Sequence, residues 1–216
     1  TARARELMFF SEKIAAAQRS DAPYTHFYGE HIVRDECAGA LRETFPNLRN
    51  PGYLTLPDDA LAGAFGDLIE TVQGQEFAGA VSDALSFDVR RRPTLVTVMN
   101  QCQKTAGRIH TDGKSKLATF LIYLNTEWPA GHAGCLRALR GPDDFDDFAV
   151  ETPPLFGNFF SFVRSDHSWH GHLPFVGQRR VVQVTWLDSE DAVKRKQRNN
   201  SVAQALKSVS AIWRRA

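Results

Sequence analysis

Hydrophobic and polar positions change their period along this chain. In ARELMFFSEKIAAAQ, residues 4–18, Leu7, Met8, Ile14 and Ala15 recur at helical intervals and predict an amphipathic helix. APYTHFYGEHIV follows, where Pro23 leads into alternating aromatics and predicts a short strand. Asp35 then stands as a candidate N-cap for the helix ECAGALRETF, which stops near Pro46. Pro, Gly, Asn and Asp crowd residues 47–59 into a loop, and the helical stretches ALAGAFGDLIETV and QEFAGAVSDAL come after it. From Pro93 the period shortens. TLVTVMNQC, LATFLIYLN, GCLRAL, NFFSFVR and RRVVQVTWL are short, β-branched or aromatic, and separated by the turn clusters KTAG, WPAGHAG, RGPDD and PPLFGN. Such strands without helices between them predict a mostly β fold with flanking helices, a sandwich or barrel-like double sheet. EDAVKRKQRNNSVAQALKSVSAIWRRA then returns to helical composition with a surplus of Lys and Arg.

Length and composition narrow this picture. A chain of 216 residues suits one domain with a sizeable core: mainly helical support over 1–91, a β core over 92–187 and a C-terminal helix over 188–216. Basic residues number 26 and acidic residues 25, so no charge excess argues for a nucleic-acid ligand. Cys37, Cys102 and Cys135 are an odd set without metal-type spacing, which predicts neither a disulfide framework nor a cysteine zinc site and makes a reducing cytoplasm the expected location. Apolar runs fall far short of the roughly 18 to 20 residues that cross a bilayer, and the first residues lack signal-peptide order. A soluble, unexported protein without a membrane partner is the expectation.

The chemistry starts at RIHTDGKSK, residues 108–116. In an extended strand His110 and Asp112 face the same side and can aim at one point. Alone, the tripeptide fits a surface turn equally well. SDHSWHGH at 165–172 supplies a second histidine group, and Arg180 follows ten residues after His170. Two histidines and one carboxylate on one side of a metal leave the open positions used by non-haem Fe(II) oxygenases. An arginine fork suits a carboxylate-bearing co-substrate.

That order and spacing resembles the Fe(II)/2-oxoglutarate-dependent oxygenases, in particular their prolyl-4-hydroxylase-like branch. Tyr123-Leu124-Asn125 with Trp128 looks like the branch's Y-L-N-x-x-W segment. Gly134-Cys135-Leu136-Arg137 resembles its G-G-x-L-R strand, with Ala133 in place of the first glycine. Pro153 to Phe160 resembles the lead into the strand before the distal histidine, and Ala22 to Phe27 looks like the usual opening. The resemblance spans roughly residues 20 to 187 and implies a double-stranded β-helix, or jelly roll. It implies that His110, Asp112 and His170 hold Fe(II), and that Arg180 and Tyr123 take the distal carboxylate of 2-oxoglutarate.

Strand parity puts Thr119, Leu121 and Tyr123 on one face of their strand and Arg180, Val182, Val184 and Trp186 on one face of theirs, so Arg180, Thr119 and Tyr123 are expected to share the co-substrate pocket. Arg179 would then point the other way; Arg180 is preferred because the family places an aromatic six residues after this basic residue, as Trp186 does here. Trp169-His170-Gly171 selects His170 over His167 and His172, although His172 shares its parity and can line the pocket or serve elsewhere. His26, His31 and His132 read as structural or exposed. The sequence departs from many relatives in lacking a tyrosine about ten residues before the H-x-D histidine. Asn100 and Gln101 stand there, and either could replace that contact or serve the substrate.

The implied activity is an Fe(II)-, 2-oxoglutarate- and O2-dependent hydroxylation of an aliphatic C–H bond in a small metabolite, amino acid or peptidyl residue, with release of succinate and CO2. Asp112 favours oxygen over halogen transfer, because halogenating relatives lose this carboxylate. A metal-binding jelly-roll sensor without turnover and a zinc-dependent hydrolase are the alternatives. The basic C-terminal segment reads as a solvated helix face or a surface for an acidic partner.

Overall fold

The computed structural model describes residues 11–57 and 60–200. A short helix α1 (Ser11–Ala15) precedes β1 (Gln18–Ser20) and β2 (His26–Gly29). Helices α2 (Ala38–Thr44), α3 (Gly63–Gln73) and α4 (Gln75–Leu85) follow. The remaining strands are β3 (Thr94–Cys102), β4 (Lys116–Tyr123), β5 (Leu136–Leu139), β6 (Phe148–Thr152), β7 (Phe159–Val163), β8 (His170–Gly171) and β9 (Gly177–Leu187). Residues 190–200 are helical, and the rest of the expected C-terminal helix lies outside the described residues, as does most of the expected first helix. No helix among the described residues is long and apolar enough to cross a membrane.

Two antiparallel sheets make a jelly roll, one of six strands in the order β1-β2-β7-β4-β9-β3 and one in the order β6-β5-β8. The central strands β7, β4 and β9 are buried on both faces, and the two faces serve different cores. Phe120, Ile122, Val182, Val184 and Trp186 point towards the helices, where Phe77 of α4 stacks on Trp186 at 6.1 Å and meets Phe120 edge-on at 5.0 Å. Leu121, Tyr123, Phe160, Phe162 and Val181 point the other way, into a second cluster shared with Leu136 and Ala138 of the small sheet. The functional cavity opens within this second cluster.

Local expectations failed in identifiable places. Asp35 opens a 3-10 turn (Asp35–Cys37) and supplies no side-chain cap; the turn follows Arg34, and α2 begins after Cys37, neither of which makes a side-chain cap bond. β1 falls where a helix and its linker were expected, and it pairs with β2, so residues 18–29 extend the large sheet rather than only supporting it. β6 and β8 are too short or too polar to announce themselves by periodicity. The loop over 47–57 is not loose. Leu54 exchanges backbone hydrogen bonds with Val98, both at 2.9 Å, and Gly52 N–H donates to the Gln101 carbonyl at 3.0 Å.

Candidate metal centre

His110 and His170 lie sixty positions apart in sequence and are brought together by backbone pairing. Each donates its N–H to the other's carbonyl at 3.0 Å, and His172 N–H donates to the Gly107 carbonyl at 2.8 Å. The turn entering this pairing needs Gly107, whose φ is +75° and whose missing Cβ would fall 2.3 Å from the His172 ring. One ligand atom from each of His110, Asp112 and His170 lies within 4.8 Å of the others, and among the described residues this is the one such grouping.

The donor set is prepared for a divalent metal. His110 Nδ1 lies 2.8 Å from the Arg108 carbonyl and His170 Nδ1 lies 2.9 Å from the Ser168 carbonyl. A carbonyl only accepts, so each Nδ1 carries the proton and each Nε2 keeps its lone pair for the metal. Burial pushes the His170 imidazole down to about 4, so it is neutral at pH 7. Burial works against the Asp112 carboxylate, but Lys116, His170 and Thr119 outweigh it and hold the group at about 2. Lys116 Nζ sits 2.7 Å from Oδ1, and Thr119 Oγ1 donates to Oδ2 at 2.9 Å. Thr119 therefore orients the carboxylate, from a position that also lines the cavity. A neutral imidazole at His170 and an ionised carboxylate at Asp112 are the protonation states that metal binding requires.

The cavity beside these ligands has a volume of about 290 Å3 and is lined by Tyr53, Met99, Leu121, Phe162, His172, Arg179 and Gln183 among others. Arg179 is the arginine in it. The register pairs Tyr123 with Val181 and Leu121 with Gln183, so the odd-numbered residues of β9 share the face of Thr119, Leu121 and Tyr123. The expectation for Arg180 is corrected by this pairing. Arg180 lies half-buried on the opposite face, with its guanidinium carbon 5.2 Å from the centre of the Phe45 ring and near Arg42. Trp186 misled the parity argument because its face is also apolar, turned to α4 rather than to the cavity. The Y-L-N asparagine fixes the register: Asn125 Oδ1 accepts from Arg180 N–H at 2.8 Å, and Asn125 Nδ2 donates to the Pro154 carbonyl at 2.6 Å.

Arg179 is 2% exposed, and the largest influences on its charge are burial and the Tyr123, Tyr53 and Cys102 side chains rather than a carboxylate. Nε donates to the Gly134 carbonyl at 2.9 Å, and the guanidinium carbon lies 5.2 Å from the centre of the Tyr123 ring. Burial opposes its charge, but Tyr123, Tyr53 and Cys102 favour it and the balance keeps it protonated. Burial raises both phenols, Tyr53 and Tyr123, while Arg179 pulls each back. The Tyr123 hydroxyl is buried without a hydrogen-bond partner. A buried cation flanked by phenols is an arrangement that suits a carboxylate ligand.

Tyr53 was missed by sequence reasoning. It arrives from the loop that Gly52 and Leu54 pin to β3, and so stands beside the positions where the relatives' tyrosine was looked for. Asn100 serves that loop: Nδ2 donates to the Leu48 carbonyl at 3.1 Å, and Oδ1 accepts from Gln178 at 3.4 Å. A lone tyrosine in a Pro- and Gly-rich loop carries no sequence signal of its own, but the empty tyrosine position at Asn100 was a reason to search for one. His172 lines the cavity, and burial together with the nearby Arg179 lowers its ring to about 4. Cys102 and Cys135 are buried free thiols.

The family model of the 2OG-Fe(II) oxygenase superfamily matches residues 89–188. Among solved structures, the chain is similar to a prolyl 4-hydroxylase of Phytophthora capsici at 18% identity and a TM-score of 0.57, covering 89% of this chain and 66% of that one. A prolyl-4-hydroxylase of Pseudomonas putida gives 16% identity and a TM-score of 0.52 over 86% of this chain and 95% of that one. AviO1 of Streptomyces viridochromogenes Tue57 gives 16% and 0.50 over 83% and 95%. These likenesses establish the fold. No curated protein matches the chain.

Proposed function

We propose that the chain is a member of the 2OG-Fe(II) oxygenase superfamily, whose model matches residues 89–188 and whose members use Fe(II), 2-oxoglutarate and O2, and that it hydroxylates an aliphatic C–H bond at the His110-Asp112-His170 site. Bound Fe(II) with 2-oxoglutarate and O2 supplies a two-electron oxidation coupled to loss of CO2 from 2-oxoglutarate, leaving succinate. His110 Nε2, Asp112 and His170 Nε2 would hold the metal. Thr119 orients the carboxylate, and the two backbone carbonyls fix the imidazole tautomers. At the other end of the cavity Arg179 binds the distal carboxylate of 2-oxoglutarate, assisted by the Tyr123 and Tyr53 hydroxyls.

The observation that carries this reading is the pairing of an open two-histidine, one-carboxylate cluster with a buried guanidinium in one cavity. A zinc hydrolase has no use for that cation and gains no second carboxylate base, since Asp112 is the one acid lining the cavity. A metal sensor has no use for the co-substrate cradle. The branch suggests a prolyl residue or another compact aliphatic centre as substrate. Incubating the iron-loaded protein with 2-oxoglutarate and a library of amino acids, small metabolites and proline-containing peptides tests this by succinate release and the gain of one oxygen. Iron-dependent succinate matched by an oxygenated product is the expected result; a folded, iron-loaded protein that binds no 2-oxoglutarate overturns the reading.

A further inference from the structure

We infer that the substrate of this site carries an anionic group, a carboxylate or a phosphate, received by Lys116. This rests on the oxygenase reading above and deepens it. The two ends of β4 face opposite ends of the cavity. Tyr123, at one end, stands by Arg179; Lys116, at the other, stands by Asp112. A co-substrate reaching from the metal ligands towards Arg179 leaves Lys116 on the far side of those ligands, where His110 is half exposed and the site meets solvent.

Lys116 is a cation whose partner is needed elsewhere. Its side chain is 16% exposed, it lines the cavity, and its ion pair is with Asp112 at 2.7 Å. A divalent metal draws on the same carboxylate and repels an ammonium held against it, since like charges a few ångströms apart in a partly buried site oppose each other strongly. With metal in place Lys116 loses much of its neutralisation and stays inside the cavity. Asp112 is the one acidic residue lining that cavity, so an anion that enters the cavity is the group placed to neutralise Lys116 there.

The surroundings point the same way. Residues 103–116, QKTAGRIHTDGKSK, contain Lys104, Arg108, Lys114 and Lys116 against Asp112 alone, in a chain whose charges otherwise nearly cancel. Arg164 adds a cation bonded through Nε to the Asp112 carbonyl at 3.0 Å, although its own charge is met by Asp166 at 2.6 Å. Lys196, on the helix over 190–200, is close enough to Lys116 and Asp112 for their charges to act on it, as do those of Arg195 and Asp188. A rim of this sign concentrates anions and steers them to the metal side. Gln183 offers a further donor in the cavity wall; its Oε1 is taken by Thr97 at 3.3 Å, leaving its amide N–H2 free to bond a ligand oxygen.

The test uses the full chain loaded with Mn(II), which does not turn over, and saturated with 2-oxoglutarate so that the Arg179 end is filled. Its melting temperature is read in sodium phosphate and in sodium acetate, against sodium chloride of equal ionic strength. Because a ligand of the folded state raises stability as its concentration passes its dissociation constant, at least one of the two anions is expected to raise the melting point in a saturable way. Phosphate alone, acetate alone or both identifies the group preferred. Lys116→Gln is expected to weaken that binding at least tenfold, and Lys116→Arg to retain it. No saturable rise with either anion, or an equal rise in Lys116→Gln, overturns the inference. So does a loss in Lys116→Gln of the stabilisation given by 2-oxoglutarate itself, which would assign Lys116 to the co-substrate. Absence of any stabilisation by 2-oxoglutarate in the unsubstituted protein is a separate result, and it overturns the oxygenase reading instead.

Discussion

A guanidinium sealed among phenols and thiols, as Arg179 is, needs an anion to offset its desolvation. Arg180, one residue on, lies half-buried on the opposite face beside Phe45, away from the cavity. The two arginines therefore make opposite predictions. Arg179→Ala should raise the 2-oxoglutarate concentration for half-saturation by on the order of a hundredfold, the scale of losing charge-assisted hydrogen bonds. Arg180→Ala should leave it within about twofold, because it touches no ligand in the cavity. Tyr53→Phe removes one hydroxyl from the cradle and should cost about tenfold in the same titration, a neutral-to-charged hydrogen bond. Equal losses for Arg179→Ala and Arg180→Ala would mean that the β9 register is not as described. The His110, Asp112 and His170 cluster was legible through its resemblance to a family pattern of identities and spacing, and the fold brings one possible ligand atom of each within 4.8 Å of the others. The arginine was not, because choosing between adjacent residues requires knowing which face of a doubly buried strand meets the cavity.

At the scale of elements, the site depends on the pairing of the segment entering at Gly107 with β8. An alanine at Gly107 would need a left-handed backbone and would drive its Cβ into the His172 ring. Gly107→Ala should therefore lower stability by roughly 2 kcal/mol or more and weaken metal binding even though no ligand is altered; equilibrium unfolding and a metal titration check both. Metal affinity unchanged in the folded variant would show that this turn does not position His110 and His170. Strands β3, β4, β7 and β9 were legible from β-branched and aromatic runs, and α3 and α4 from their spacing. β8 was not, since two residues hold no periodicity. Nor was the contribution of the 50–54 loop, whose pairing to β3 is made by backbone groups that the side-chain sequence does not encode.

Over the whole molecule, the two cores divide the labour between them. Trp186, Phe77 and Phe120 fix the large sheet against the helices, and the second core is left open enough to hold a ligand. Charge buried there links stability to pH. His170 and His172 are held near 4 by burial, against an ordinary value of 6.5. Between pH 6.5 and 4 the unfolded chain takes up protons that the fold refuses, so stability is full above 6.5 and falls as pH drops towards 4. Each histidine accounts for on the order of 3 kcal/mol of that loss. The Asp112 contribution has the opposite origin, a value lowered to about 2, and it disappears at still lower pH, between 3.8 and 2. Urea unfolding of the metal-free protein at pH 7, 5 and 4 should show the decline, and His172→Gln should flatten it by about half; an unchanged slope would mean that His172 is not buried as a neutral ring.

The central claim is that one cavity holds Fe(II) at His110, Asp112 and His170 and the distal carboxylate of 2-oxoglutarate at Arg179. Anaerobic titration of the Fe(II)-loaded protein with 2-oxoglutarate addresses it without any knowledge of the substrate, since chelation of Fe(II) by a 2-oxo acid produces a visible charge-transfer absorption. The absorption should appear and saturate in the unsubstituted protein and in Arg180→Ala. It should vanish in Asp112→Ala and require far more 2-oxoglutarate in Arg179→Ala. A folded, iron-loaded protein that develops no such absorption, or one whose titration responds to Arg180 and not to Arg179, would contradict the account.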